Sequence, residues 1–142
     1  MQKCGFVVVV GPPNAGKSTL SNALVGQKVA IVTQKAQTTR MRLRAVVMHQ
    51  EAQIILVDTP GIFEPKQRLD RAMVNEAWLG IDDADEVLLV LDAAHAKSPE
   101  TDIALERLSR SKKTVSLVLN KIDTIARDTL LGLVQKLNEL VE

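Results

Sequence analysis

The sequence has 142 residues, of which 18 are basic and 17 are acidic, and it contains one cysteine. This length suits one domain with a buried core, and the balanced charge gives no strong attraction to nucleic acid or anionic membranes. The single cysteine excludes an internal disulfide, and no apolar run is as long as a membrane span. Because Met1 to Cys4 leads directly into an apolar run, we expect no signal peptide. The single cysteine suits a reducing, cytoplasmic location.

Four continuous apolar runs, rich in Val, Leu and Ile, are typical of strands that are buried on both faces. These runs are Phe6–Val10, Ile54–Val57, Val87–Leu91 and Val115–Leu119. Helical patterns lie between and after them, at Lys17–Val25, about Arg68–Leu79, from Ser98-Pro99-Glu100 to Leu108, and at Leu130–Val141. Strands that alternate with helices predict an α/β fold with a doubly wound, mostly parallel sheet.

One further strand, Met41 to Met48, alternates partly between polar and apolar residues. A hairpin-length loop, His49 to Ala52, joins it to the next run, which predicts an antiparallel edge strand. Arg40, Arg42 and Arg44 would share a face of this strand. They would either protect the sheet edge or form a docking surface for an acidic partner or RNA.

The first apolar run is followed by the pattern G-x-x-x-x-G-K-[ST], which binds phosphate when a strand precedes it and a helix follows it. Backbone N–H groups in such a loop surround the phosphate, and the helix adds its positive dipole end. We expect Lys17 to contact the β- and γ-phosphates and Ser18 to bind Mg²⁺. The alternative is a glycine-rich turn without a ligand. The predicted nucleotide-binding residues are Gly11, Pro12, Pro13, Asn14, Ala15, Gly16, Lys17, Ser18 and Thr19.

The other three buried strands also end in polar residues, namely Asp58, Asp92 and Asn120. Ligands of open α/β sheets bind beyond the carboxyl ends of the strands, so these residues are expected at one site. Asp58 is predicted to hold Mg²⁺ through water, and Gly61 to offer its backbone N–H to a γ-phosphate. The predicted nucleotide-binding residues of this segment are Asp58, Thr59, Pro60, Gly61 and Ile62.

The fourth run ends in Asn120-Lys121-Ile122-Asp123, and these four residues are predicted to bind the base. Asp123 can accept hydrogen bonds from N1–H and the 2-amino group of guanine, whereas adenine would leave the carboxylate unpaired. The stem of Lys121 can lie along the base, and Asn120 can tie this loop to the phosphate loop. The sequence therefore predicts guanine. The alternative is a turn that caps the last helix.

Together these motifs resemble the Ras-like P-loop GTPases. The stretches Lys35–Arg40, Gly11–Ser18 and Gly26–Val29 are in addition similar to the Era family of bacterial GTPases. The resemblance implies a switch that hydrolyses GTP to GDP and phosphate. It implies that Thr39 contacts Mg²⁺ in the GTP state, with Thr38 as the competing candidate. Residues 28–40 would form switch I and residues 59–68 switch II.

The resemblance also implies a larger protein. The last strand, the last helix and the fifth motif of the family's GTPase domain are missing, so we expect residues 1–142 to be a C-terminally incomplete GTPase domain. The family's KH domain, which binds small-subunit ribosomal RNA, is absent from the sequence as well. In the full-length family the switch is coupled to assembly of the 30S ribosomal subunit. We expect a monomer, with peripheral association at the inner face of the cell membrane as a further property of the full-length family.

Two positions bear on the rate of hydrolysis. Ras-type enzymes place a water-orienting glutamine where this chain has Ile62, and Gln67 is too far along to replace it. Related GTPases use an asparagine at the position of Asn14 to bind K⁺. We therefore expect slow intrinsic hydrolysis that K⁺ stimulates, with Lys17, Thr39 and Asn14 as the catalytic residues. The alternative for Asn14 is a residue that only shapes the backbone.

Three other functions compete with a GTPase of this family. An ATP-using P-loop enzyme is disfavoured by Asp123. A nucleotide-dependent scaffold without turnover is a second alternative. A tRNA-modification or tandem-domain ribosome GTPase is the third, and the Lys35–Arg40 stretch argues against it. Structural roles are predicted for His95, for Trp78 in helix packing and for Asp92 as a strand-end cap.

Overall fold

The computed structural model describes residues 3–26, 42–59, 75 and 78–141. Strands and helices alternate along them as predicted. The strands are β1 (Lys3–Val10), β2 (Arg42–His49), β3 (Ala52–Asp58), β4 (Glu86–Asp92) and β5 (Thr114–Asn120). The helices are α1 (Lys17–Val25), α2 (residues 78–83), α3 (Pro99–Arg110) and α4 (Arg127–Val141), with short 3₁₀ turns at Ala93–His95 and Ile122–Thr124.

The five strands form one sheet in the order β2-β3-β1-β4-β5. β1 runs parallel to β3 and β4, and β4 runs parallel to β5. β2 pairs with β3 in the antiparallel sense and lies at one edge of the sheet. The predicted mostly parallel sheet with one antiparallel edge strand is therefore confirmed, and the carboxyl ends of four strands meet at one edge.

Helices cover both faces of the sheet, because alternate side chains of β1 enter two different cores. Val8 and Val10 pack in a core with α2, α3 and α4, while Val9 packs in a smaller core with α1. All three valines are at most 1% exposed, as predicted for a strand buried on both faces, but Phe6 at the start of the predicted run is 39% exposed, so the burial is confirmed only for the end of the run. This arrangement confirms the doubly wound α/β fold.

Two expectations about burial are wrong in detail. The side chains of Val115–Leu119 in β5 are half-buried, because β5 lies at the second edge of the described sheet. In the last two helices the apolar residues at helical spacing are expected to be buried, but Ile103, Val134 and Leu140 are 41%, 49% and 47% exposed. Among the described side chains of α4, Leu133 and Leu137 are the buried ones, because this helix packs on the edge strand.

The structure locates other predicted boundaries closely. Ser98 caps α3, and its Oγ accepts a hydrogen bond from the Thr101 N–H at 3.3 Å, with Pro99 at the first helical position. The hairpin turns at Gln50, which has φ 52°. The helix predicted to end near Leu79 continues to residue 83, and of the predicted residues before 78 the structure describes only residue 75, which is helical. Arg40 lies outside the described residues, and so do the side chains of Arg42 and Arg44 in β2, so the predicted arginine face stays a prediction.

Candidate nucleotide-binding site

The loop between β1 and α1 requires glycine at both ends because other chain segments approach it closely. A Cβ on Gly11 would lie 2.2 Å from the Val90 carbonyl oxygen. A Cβ on Gly16 would lie 2.1 Å from Asn120 Nδ2, and Gly16 has φ 94°. The two glycines of the motif therefore permit the loop to fold against β4 and against the end of β5.

Helix α1 begins at Lys17, directly after Gly16. Gly16 occupies the N-cap position in a left-handed conformation and has no side chain with which to cap the helix. The first N–H groups of such a helix and its dipole favour negative charge. Lys17 Nζ donates to the carbonyl oxygens of Gly11 at 2.9 Å and Pro12 at 2.7 Å, so the ammonium group lies across the loop. The loop thus combines N–H donors with a fixed positive charge.

The end of β5 is tied to this loop by two side chains. Asn120 Nδ2 donates to the Ala15 carbonyl at 3.0 Å, which confirms the predicted tie. Lys121 Nζ donates to the Asn14 carbonyl at 2.7 Å, a contact that the sequence did not predict. The phosphate loop (Gly11–Ser18) and the predicted base loop (Asn120–Asp123) are therefore joined by hydrogen bonds into one assembly.

The residues after Lys121 form a tight turn at the rim of this assembly. Thr124 Oγ1 donates to the Lys121 carbonyl at 2.6 Å, and the Thr124 N–H donates to the same oxygen at 3.0 Å. Asp123 lies in this turn and is exposed, as is Ile122 at 51%. The Asp123 carboxylate is therefore accessible to a ligand that enters from solvent.

Asp58 ends β3 directly beside the phosphate loop, because β1 and β3 pair in register with Val9 opposite Asp58. Thr59 follows and is 8% exposed, and its hydroxyl donates to the Val9 carbonyl at 2.9 Å. This hydroxyl fastens the Asp58 segment to β1. Ser18 lies in the first turn of α1. A serine hydroxyl and an aspartate carboxylate are oxygen ligands of the kind that Mg²⁺ prefers, so these residue types fit the ion, and the role of Ser18 and Asp58 as its ligands stays a prediction.

Asn14 has φ 61° and is exposed. Asparagine tolerates the left-handed region better than most residues, so the backbone alone gives a reason for its presence. Its predicted role in K⁺ binding stays a prediction. Several other predicted residues lie outside the described ones, namely Thr38, Thr39, Pro60, Gly61, Ile62 and Gln67.

Asp92 takes part in this assembly as well, beyond its predicted role as a strand-end cap. The cap is confirmed, since Oδ1 accepts from the Ala94 N–H at 2.9 Å. Oδ2 also accepts from Lys121 Nζ at 2.9 Å. The Lys121 hydrogen bond is the main cause that holds the pKa of Asp92 below its usual range, against an opposing effect of burial. The contact depends on strand order, because β4 and β5 pair with Asp92 opposite Asn120.

Comparison with known proteins agrees with this geometry. The sequence profile of a family described as 50S ribosome-binding GTPase matches residues 6–121. The chain belongs to this GTPase family. Within the described part of the chain, no helix is long and apolar enough to cross a membrane.

The more specific resemblance to Era is confirmed. GTPase Era of Afipia carboxidovorans is 54% identical over 139 residues, which is 98% of this chain and 45% of that protein. A crystal structure of Era in complex with MgGDPNP and nucleotides 1506–1542 of 16S ribosomal RNA gives a TM-score of 0.79 at 41% identity, over 98% of this chain and 48% of that chain. Aquifex aeolicus Era bound to GDP·AlF₄⁻ gives 0.76 at 40% identity, over 97% and 48%. The Ras-like P-loop fold is thereby confirmed, and the chain spans about half the length of these relatives.

Proposed function

We propose that this chain binds guanine nucleotides and hydrolyses GTP to GDP and phosphate. One observation carries the proposal: Asn120 and Lys121 bond to the carbonyls of Ala15 and Asn14, and so join the base loop to the phosphate loop. A single ligand with a base at one end and phosphates at the other fits this arrangement. This chain is similar to Era proteins that were crystallised with guanine nucleotides, which supports the same ligand.

Positively charged and N–H groups of the chain bind the phosphates, and a carboxylate binds the base. The loop N–H groups, the start of α1 and Lys17 bind the phosphates, and the exposed Asp123 accepts from the guanine base. Ser18 and Asp58, the latter through water, would hold Mg²⁺ together with Thr39. When bound, this ion neutralises negative charge on the β- and γ-phosphates. Catalysis then consists mainly of positioning and electrostatic stabilisation.

Hydrolysis by this chain should be slow without help. Ile62 stands where Ras-type enzymes have a water-orienting glutamine, and its apolar side chain cannot donate a hydrogen bond to water. We propose that K⁺ at Asn14 supplies positive charge near the phosphates instead. An arginine finger that acts in this way is worth about 10³–10⁵ in rate.

Binding of RNA is proposed for the protein as a whole. Era has been crystallised with a segment of 16S ribosomal RNA, and we propose that the nucleotide state of this switch is coupled to the same RNA class and to 30S assembly. The net charge of +1 offers little general attraction for RNA in these residues. A KH domain beyond residue 142, the cytoplasmic location, the monomeric state and peripheral membrane association stay predictions from the family resemblance.

Phosphate release from GTP and ATP, measured with Mg²⁺ in K⁺ and in Na⁺ buffers, tests this function. We expect release from GTP alone and a rate that is about tenfold or more higher in K⁺. Release from ATP would contradict the preference for guanine. No release from GTP in K⁺ would contradict the proposed GTPase activity.

The Asn14→Gly variant separates the two roles of Asn14. Glycine adopts φ 61° without strain, so this variant keeps the loop backbone and removes only the side-chain amide. We expect it to bind GDP normally and to lose the stimulation by K⁺. Equal stimulation of both proteins would show that Asn14 only shapes the backbone.

A further inference from the structure

Asp92 ends β4 with a carboxylate whose two oxygens have different partners. Oδ1 accepts from the Ala94 N–H at 2.9 Å and so caps the turn that follows β4. Oδ2 accepts from Lys121 Nζ at 2.9 Å. His95 Nδ1 lies 3.4 Å from the same Oδ2, but its side chain is 80% exposed and the contact adds little. The cap uses only Oδ1, so it does not explain why Oδ2 accepts a hydrogen bond from Lys121.

Lys121 is held at both its backbone and its ammonium group. Its φ of 57° places it in the left-handed region, which is unusual for lysine and which the following turn stabilises. Its Nζ bonds both to the Asp92 carboxylate and to the Asn14 carbonyl. The Asp92 side chain is 15% exposed and that of Lys121 is 40% exposed, so the ion pair is partly shielded from water. These contacts hold the Lys121 side chain in one orientation between the end of β5 and the phosphate loop.

The fixed orientation of the Lys121 side chain should raise the affinity for a nucleotide. A lysine side chain loses much rotamer freedom when it becomes fixed, and a ligand that must fix it binds more weakly. A contact that fixes the side chain before binding removes this cost from the ligand. The inference rests on the proposed guanine-nucleotide function, in which the stem of Lys121 lies along the base.

We infer that Asp92 is a positioning residue for guanine nucleotides, and that its Oδ2 holds the Lys121 side chain in its base-binding orientation. The inference extends the base site from the Asn120–Asp123 segment to the neighbouring strand β4. Asp92 does not touch the nucleotide in this account and acts only through Lys121.

The Asp92→Asn variant tests this role. Asparagine keeps an oxygen that accepts from the Ala94 N–H, but its NH₂ group cannot accept from Lys121. Calorimetric titration of the wild-type chain and the variant should show about three- to tenfold weaker GDP binding for the variant. The melting temperature without nucleotide should fall by less than about 4 °C, as expected for loss of a partly exposed ion pair. The control variant Asp83→Asn, at an exposed position of α2, should bind GDP like wild type.

A double-mutant cycle with Lys121→Met separates positioning from a general structural effect. If Asp92 acts through Lys121, Asp92→Asn causes no further weakening of GDP binding in the Lys121→Met background. Equal weakening in both backgrounds, or normal GDP binding by Asp92→Asn, would overturn the inference. If the wild-type chain itself does not bind GDP, the proposed function and this inference both fail. If wild type binds and Asp92→Asn binds equally well, only the inference fails.

Discussion

Gly16 lies where the backbone of the phosphate loop passes the side chain of Asn120. A Cβ at Gly16 would meet Asn120 Nδ2 at 2.1 Å, and φ 94° disfavours any side chain. We expect Gly16→Ala to lower the free energy of unfolding by about 1–3 kcal/mol, measured by urea denaturation, and to weaken GDP binding. The matched control is Gly80→Ala, whose Cβ would meet Thr59 Cγ2 at an ordinary 4.0 Å. Wild-type stability of Gly16→Ala would show that the loop is not as tightly packed as we describe.

The ion pair between Asp92 and Lys121 makes part of the stability dependent on pH. Because the pKa of Asp92 is lowered in the folded state, its charge stabilises the fold above the ordinary aspartate pKa of about 3.9. This contribution is lost as pH falls through the lowered pKa. Since Lys121 is 40% exposed, solvent screening limits the pair to about 1 kcal/mol or less.

Thermal unfolding of wild type and Asp92→Asn across this pH range tests that sign. The difference in melting temperature should be largest at neutral pH, where Asp92 is charged. It should shrink as pH falls below about 4, because protonation removes the charge from the wild-type side chain. A difference that is as large in acid as at neutral pH would show that the ion pair is not its cause.

At the scale of single elements, α4 contains a glycine with no packing reason. Gly132 is exposed in the interior of α4, and a Cβ there would meet nothing within 4 Å. Gly132→Ala should therefore raise the free energy of unfolding by about 0.5–1 kcal/mol, because alanine loses less backbone entropy in a helix. Urea denaturation measures the change, and GDP affinity should stay as in wild type. An unchanged or lower stability would indicate a contact of Gly132 that the structure does not describe.

The elements themselves could be predicted from local sequence. Ser98 and Pro99 mark the start of α3, and the pattern Gly11–Ser18 marks a strand–loop–helix unit, because these signals depend on neighbouring residues. The exposure of Val134 and the half-burial of β5 could not be predicted in this way. They depend on the position of β5 at the edge of the described sheet, which only the pairing of distant strands decides.

The same distinction holds within the candidate site. The tie from Asn120 to the phosphate loop follows from a motif, and the structure shows it. The bond from Lys121 to Asp92 joins residues 29 positions apart, and the cap role of Asp92 already explained its presence in the sequence. This bond could not be predicted from local sequence because it depends on the pairing of β4 with β5.

At the scale of the whole molecule, strand order brings the functional segments together. β1 lies between β3 and β4, so the phosphate loop has Asp58 on one side and Asp92 with Asn120 on the other. The chain thus places its charged and polar strand ends at one edge of the sheet, where other open α/β sheets bind their ligands. A guanine nucleotide bound at this edge would contact segments from both halves of the sequence.

Calorimetric titration of this chain with GDP and with ADP tests the central claim most directly, with Lys17→Ala and Asp123→Ala as the two site variants. We predict that wild type binds GDP and not ADP. Lys17→Ala should weaken GDP binding because the phosphates lose a positive charge, and Asp123→Ala should abolish the preference for guanine. Equal affinity of wild type for ADP and GDP, or wild-type GDP affinity in both variants, would contradict the claim that one guanine nucleotide spans the phosphate loop and the Asn120–Asp123 turn.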